Sequence, residues 1–275
     1  MPRSAFTAIA VLILMGTITA SASASRQQPT VYLALGDSLA WGDGASVPDH
    51  TGYVPRLAGY FSGGAHGDAD QLVNLAIRGE TTDSFLAGQL GQALAVINDP
   101  NTDVRVVTIS IGGNDLLNLL NEPTDPCVQD PTSPTCQSLL FAALQNTAAN
   151  YPVILGALQA ALANDPGTEK VFVMTLYNPF GGTGSLYEIP VDNALLGLDG
   201  TVDCSALRNP LNVGLDDIMG CTALAAGGIM VDGYAAIGDN ALALTHIGDP
   251  GFNIHPNDDG YAALAQAHRE ADRAS

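Results

Sequence analysis

The 275-residue chain contains a single lysine, Lys170, and nine basic residues in all, against 28 acidic ones. A formal net charge of −19 excludes the basic patches that nucleic-acid or anionic-membrane binding requires. Several catalytic signatures are also missing. No G-x-S-x-G, Walker A, H-E-x-x-H or helix-opening G-x-G-x-x-G occurs, which argues against the α/β-hydrolase elbow, phosphate-loop nucleotide binding, zincin chemistry and dinucleotide binding. Cysteine is scarce: Cys127, Cys136, Cys204 and Cys221. With no C-x-x-C and no nearby histidine pair, zinc is disfavoured. Four cysteines in an exported chain read instead as two disulfides. Of the three connectivities, the sequence-local one, Cys127–Cys136 and Cys204–Cys221, is preferred.

Export is expected from the first 24 residues. Arg3 precedes an apolar run from Ala5 to Ala20, followed by Ala20-Ser21-Ala22 and Ala22-Ser23-Ala24. A basic end, an apolar stretch and small-residue cleavage sites describe a secretory signal peptide. The run falls short of the ~20 residues that span a bilayer, and no cysteine precedes Cys127 to carry a lipoprotein anchor. Removal of residues 1–24 takes Arg3 with it, and the charge from −19 to −20. Residues 25–275 are expected to form one soluble, extracellular catalytic domain, a monomer with no stable membrane anchor.

Five short β-like runs punctuate that region: Val31–Leu35, Leu72–Ala76, Val104–Ile111, Lys170–Leu176 and Gly228–Val231. Their near-continuous apolar character predicts burial on both faces, as in a parallel sheet. Helical spacing separates them. Phe85, Leu86, Leu90, Leu94 and Ile97 form one stripe; Leu140, Leu144, Thr147, Tyr151, Ile154 and Leu158 form another, with Pro152 as a candidate kink. A last helix is predicted from about Asp258 to Arg269. Strands alternating with helices predict an α/β fold with a central parallel five-stranded sheet. Two stretches read as loop insertions, about residues 121–136, with four prolines, and about 181–205, rich in Gly and Asp. They follow the third and fourth strands, and so are candidates to wall a site at the carboxyl ends of the sheet.

Chemistry-bearing residues gather at those same strand ends. Gly36-Asp37-Ser38-Leu39 closes the first strand, Arg78-Gly79 lies beyond the second, and Gly112-Gly113-Asn114-Asp115 follows the third. Asn253-Ile254-His255-Pro256 precedes the last helix. A serine hydroxyl becomes a useful nucleophile when a base takes its proton, and His255 can do so near neutral pH. Charge developing on a carbonyl oxygen needs fixed donors, for which the N–H groups of Ser38 and Gly79 and the amide of Asn114 qualify. Leu116, Leu117, Leu119 and Leu120 either line an acyl pocket or pack in the core, and core packing is the preferred reading. His50, His66, His246 and His268 read as loop or surface residues, with only His246 near the site.

In order and spacing, these four blocks resemble those of the GDSL/SGNH hydrolase family, from Val31 to Ala265. The resemblance implies a flavodoxin-like three-layer α/β/α sandwich. It also implies Ser38 as nucleophile, Gly79 and Asn114 completing the oxyanion hole, and His255 as general base, with no metal or cofactor. Tyr177-Asn178-Pro179-Phe180 looks like the secreted lipase and esterase branch. The function implied is a secreted serine esterase or lipase acting on a small-molecule or lipid ester. A carbohydrate acetylesterase on the same residues, or a secreted binding protein of weak activity, is the alternative. The family usually has Asp two residues before this histidine, where this chain has Asn253. The imidazole is then oriented by a backbone carbonyl, by the Asn253 side chain, or by a distant acid such as Asp249, Asp258 or Asp259. An acceptor in the Asn253 region is preferred.

Overall fold

A computed structural model describes residues 28–63, 68–164, 169–205, 207 and 212–275. Residues 1–24, expected from sequence to be a signal peptide, and His66 lie outside the described residues. Five strands, β1 (Thr30–Gly36), β2 (Gln71–Asn74), β3 (Asp103–Ser110), β4 (Lys170–Met174) and β5 (Ile229–Val231), pair in parallel in the order β2-β1-β3-β4-β5. Every run read as a strand from sequence is one, with ends displaced by a residue or two. β2 stops at Asn74 rather than Ala76 because the Asn74 amide turns the chain. Its Oδ1 accepts the Ala76 N–H at 3.1 Å and its Nδ2 donates to the Ala40 carbonyl at 3.0 Å. β4 stops short of Leu176, whose N–H leaves the sheet for the Asp216 carboxylate at 2.8 Å.

The helices that matter for the site are α1 (Ser38–Trp41), α2 (Tyr53–Phe61), α3 (Leu90–Ile97), α4 (Gly113–Leu117), α5 (Pro134–Leu162), α6 (Glu188–Leu196), α7 (Leu215–Ala225) and α8 (Asp258–Ala274). α2 and α8 pack together on one face of the sheet, and α3, α5 and α7 on the other. The result is the three-layer α/β/α sandwich with flavodoxin-like strand order. The strand order reverses between β1 and β3, the position at which open parallel sheets form a crevice beyond their carboxyl ends. Side chains on both faces of β1, β3 and β4 are largely buried, which explains their near-continuous apolar character, whereas the edge strand β2 is mostly exposed.

Several elements depart from the sequence reading. The Phe85–Ile97 stripe begins as a π-helical turn, Phe85–Gln89, before α3. α5 runs for 29 residues through Pro152, and its first turn takes in Pro134–Cys136, the end of the stretch expected from sequence to be loop. The segment 181–205 is not all loop, because it contains α6. α8 continues five residues past Arg269. Its last turn is anchored by Asp272, which accepts from Tyr60 Oη at 2.9 Å and from the lone lysine, Lys170, at 2.7 Å. His268 is the clearest correction. Instead of lying on the surface it is fully buried on α8, stacked on Tyr53 at 5.1 Å, and burial pushes its pKa down to about 4. It falls one turn after Leu264 and Ala265, on the stripe that faces the sheet.

Candidate active site

The end of β1 is fixed before Ser38 appears. Gly36 takes φ +130°, and a Cβ there would sit 2.0 Å from the Ser110 carbonyl of β3, so only glycine fits. Its N–H donates to Gln89 Oε1 at 2.6 Å, and Gln89 Nε2 donates back to its carbonyl at 2.9 Å. The wide turn at Phe85–Gln89 thus buries an amide that clamps the strand end. Nothing in the sequence pattern marked Gln89. Asp37 then caps α1: its N–H donates to the Ser110 carbonyl at 3.0 Å and its carboxylate accepts the Leu39 N–H at 3.0 Å. Burial pushes the Asp37 pKa up to about 7. Ser38 is the first residue of α1, so its N–H has no partner within the helix.

His255 arrives from the other end of the chain. Ser38 Oγ lies 2.9 Å from His255 Nε2, and His255 Nδ1 lies 2.9 Å from Asn253 Oδ1. The same Asn253 oxygen accepts the backbone N–H of His255 at 3.1 Å. A backbone N–H can only donate, so that atom is the amide oxygen, and Nδ1 must carry the ring proton. In the neutral ring, Nε2 is left free to accept the Ser38 hydroxyl. The three acids weighed from sequence are occupied elsewhere or exposed. Asp249 faces His246 Nδ1 at 2.6 Å; Asp258 accepts from Ser46 N and Thr51 Oγ1 at 2.8 and 2.7 Å; Asp259 is exposed.

The histidine loop is held from three sides. Tyr177 Oη donates to the Ile254 carbonyl at 2.8 Å, and the His246 N–H donates to the His255 carbonyl at 2.9 Å. On the third side is Gly44, at φ +87°, where a Cβ would lie 2.6 Å from the Pro256 carbonyl and 2.9 Å from His255 Cβ. Burial lowers the His255 pKa, opposed by the nearby Asp43 carboxylate and assisted by Arg78 and His246. The ring is therefore neutral at neutral pH. His246 behaves oppositely: bonds to Asp249 and to the Gly44 carbonyl raise its pKa.

Gly79 and Asn114 complete the edge. Gly79 turns at φ +74° with open space around it, so the backbone angle and not crowding calls for glycine. Asn114 lies in the first turn of α4 and donates one amide hydrogen to the Glu80 carbonyl at 2.9 Å, leaving its second for a ligand. Asp115 ties the two blocks together, accepting the Thr82 N–H at 2.9 Å and the Thr82 hydroxyl at 2.6 Å.

Ser38, Gly79, Asn114 and His255 all line one pocket of about 370 Å³. Beyond the polar edge its walls are apolar. Leu116, Leu117, Leu119 and Leu120 line it, half-buried; Leu116 also packs against the core as preferred from sequence, and the other three belong to the pocket. Leu140 of α5 and Pro190, Val191, Ala194 and Leu195 of α6 complete the wall, with Tyr177 and Phe180 nearby. Both insertions therefore contribute. A disulfide joins Cys127 to Cys136, both at the pocket, and a second joins Cys204 to Cys221 of α7. Tyr187 Oη, donating to the Val128 carbonyl at 2.9 Å, links the two insertions. Among the described residues, no three His, Cys, Asp or Glu side chains are arranged to hold a metal. No described helix is long and apolar enough to cross a membrane.

The profile of the GDSL-like Lipase/Acylhydrolase family matches residues 34–263. The chain belongs to that family and is a carboxylic ester hydrolase. Similar folds occur in solved structures of low identity. The lipase Lip_vut3 from a goat rumen metagenome is 20% identical, covering 88% of this chain and 97% of that one, with a TM-score of 0.57. The extracellular lipase from Streptomyces rimosus is 22% identical over 88% and 99%, TM-score 0.55. The acetylxylan esterase Axe2 from Geobacillus stearothermophilus is 17% identical over 88% and 93%, TM-score 0.52. No curated protein matches the chain.

Proposed function

We propose that the chain is a secreted serine esterase of the lipase type, preferring esters with apolar acyl chains. One observation carries the reading: the Ser38 hydroxyl stands 2.9 Å from a correctly tautomeric His255, at the edge of a leucine-lined pocket. Ser38 Oγ attacks the ester carbonyl while its proton passes to His255 Nε2. The Ser38 and Gly79 N–H groups and Asn114 Nδ2 receive the oxyanion. Collapse expels the alkoxide, which leaves with the proton from Nε2. Water then repeats the sequence on the acyl-enzyme, releasing the acid and restoring Ser38. Throughout, Asn253 Oδ1 holds the Nδ1 proton and so the ring's orientation, without the charge a carboxylate would add.

One chain supplies every group, consistent with action as a monomer and with residues 25–275 as one catalytic domain. Two disulfides and the basic-apolar start of the sequence support secretion. A pocket walled by leucine, with few polar groups beyond the reacting edge, favours long acyl chains over the acetyl group of the carbohydrate acetylesterase reading. A fluorophosphonate probe should label Ser38 in the native chain and nothing in Ser38→Ala. That variant should lose about 10³-fold or more in kcat on p-nitrophenyl butyrate while keeping its circular dichroism. A native chain that does not label overturns the mechanism and favours a binding protein. Preference for p-nitrophenyl acetate over the octanoate would overturn the acyl assignment.

A further inference from the structure

Of the four large apolar side chains that are 70% or more exposed, Leu198 being the fourth, three lie beside residues that line the pocket. Leu186 is 70% exposed, Ile189 71% and Phe252 71%. They come from two segments separated by more than sixty positions, yet both segments meet at the mouth of the pocket. The Phe252 ring lies 6.3 Å from that of Phe180, which in turn lies 5.4 Å from Tyr187, and both Phe180 and Tyr187 line the pocket. Leu186 directly precedes Tyr187, and Ile189 precedes the wall residue Pro190. Phe252 thus continues the apolar lining outward through Phe180, and Leu186 and Ile189 are exposed sequence neighbours of the lining residues Tyr187 and Pro190.

The acids on these segments are engaged. Glu188 accepts the N–H groups of Gly182 and Gly184 at 3.1 and 2.8 Å. Asp192 accepts from Asn178 Nδ2 at 2.8 Å and from Tyr234 Oη. Asp249 pairs with His246 at 2.6 Å. The chain carries a net charge of −19, yet beside the pocket these apolar side chains are exposed while the nearby acids are held in hydrogen bonds. The charge of the whole chain defines the chemistry of a partner. An anionic leaflet attracts basic residues and repels this molecule. An uncharged surface of aggregated lipid ester does neither and offers apolar contact.

We infer that Leu186, Ile189 and Phe252 form a docking rim for an uncharged lipid–water interface, from which an acyl chain slides along Phe180 and Tyr187 into the pocket. The inference rests on the ester-hydrolase reading for its substrate but not for its contact. The test compares the native chain with the triple variant Leu186→Ser/Ile189→Ser/Phe252→Ser, and with Phe252→Ser alone. Each is given dissolved p-nitrophenyl butyrate and emulsified triolein. Flotation with phosphatidylcholine-coated triolein droplets, with and without phosphatidylserine, reports docking directly. The triple variant should turn over the soluble ester within about twofold of native and lose tenfold or more on the emulsion. It should no longer float with the droplets, and the single variant should fall between. Added phosphatidylserine should weaken native binding. Emulsion hydrolysis by the triple variant at the native rate overturns the inference, as does tighter native binding to anionic droplets. A native dimer that the triple variant dissolves also overturns it, by giving the patch to a second copy. A native chain that floats with droplets but hydrolyses neither ester supports the docking rim and overturns the ester-hydrolase mechanism, so the two failures are distinct.

Discussion

The two sides of the pocket are built by different physics. On the reacting side, Ser38, Gly79, Asn114 and His255 are placed by backbone hydrogen bonds and by glycines packed against carbonyls, most tightly Gly36 on Ser110 and Gly44 on Pro256. Little can move there without breaking a strand end. On the proposed acyl side, the wall combines Leu116, Leu117, Leu119, Leu120 and Leu140 with apolar residues of the two insertions, which are held to each other by Tyr187 and stapled by Cys127–Cys136 and Cys204–Cys221. Apolar contact is non-directional, so this side can change shape while the reacting groups stay in register. On the proposed function, chemistry and acyl preference are thereby separable.

The largest break in that separation is expected at Asn253. Asn253→Ala removes the acceptor from both the ring proton and the His255 N–H. Loss of a buried hydrogen bond, about 1–3 kcal/mol, should lower kcat about tenfold to a hundredfold with KM little changed. Asn253→Asp sharpens the point through pH. Burial lowers the native His255 pKa, so the ring stays a free base, and kcat/KM stays high, down to a pH below the ordinary histidine value of about 6.5. A carboxylate beside Nδ1 favours the imidazolium and should move the acid limb of the pH–rate profile upward. An unmoved limb would mean that position 253 does not govern the ring. On the other side, Leu120→Trp fills the pocket. It should cost about tenfold in kcat/KM for p-nitrophenyl octanoate and leave the acetate within about twofold; an equal loss on both would show that the wall and the reacting edge are not independent. The smallest effect on turnover is expected from Cys127→Ser/Cys136→Ser. Opening a loop with a sequence separation of 9 should cost about 2–3 kcal/mol and lower the melting temperature by roughly 5–10 °C in a thermal scan, with acetate hydrolysis preserved.

Much of the reacting side was legible in the sequence because its requirements are local. A buried parallel strand needs a near-continuous apolar run, and glycine stands at the end of β1 and after β3 where backbone angles turn positive. The acyl side was less legible. Helix α6 carries Pro190 in its first turn and sits between glycines at 184 and 197, so its periodicity is masked by turn-forming residues. Leu116, Leu117, Leu119 and Leu120 look alike whether they face a core or a pocket, because both bury apolar surface. Gln89 and Tyr177 act through backbone groups distant in sequence, which no local pattern encodes. His268 misled because histidine is commonly exposed, whereas its place on the inward stripe of α8 decided its burial.

The bond between Ser38 and His255 spans 217 positions. The proposed nucleophile is made near the beginning of the chain, and the base that activates it follows only after all five strands. Until the last helix docks beside α2 and brings the histidine loop onto Gly44, Ser38 is an ordinary alcohol. On the proposed mechanism, activity therefore begins only when folding has joined the two ends of the chain.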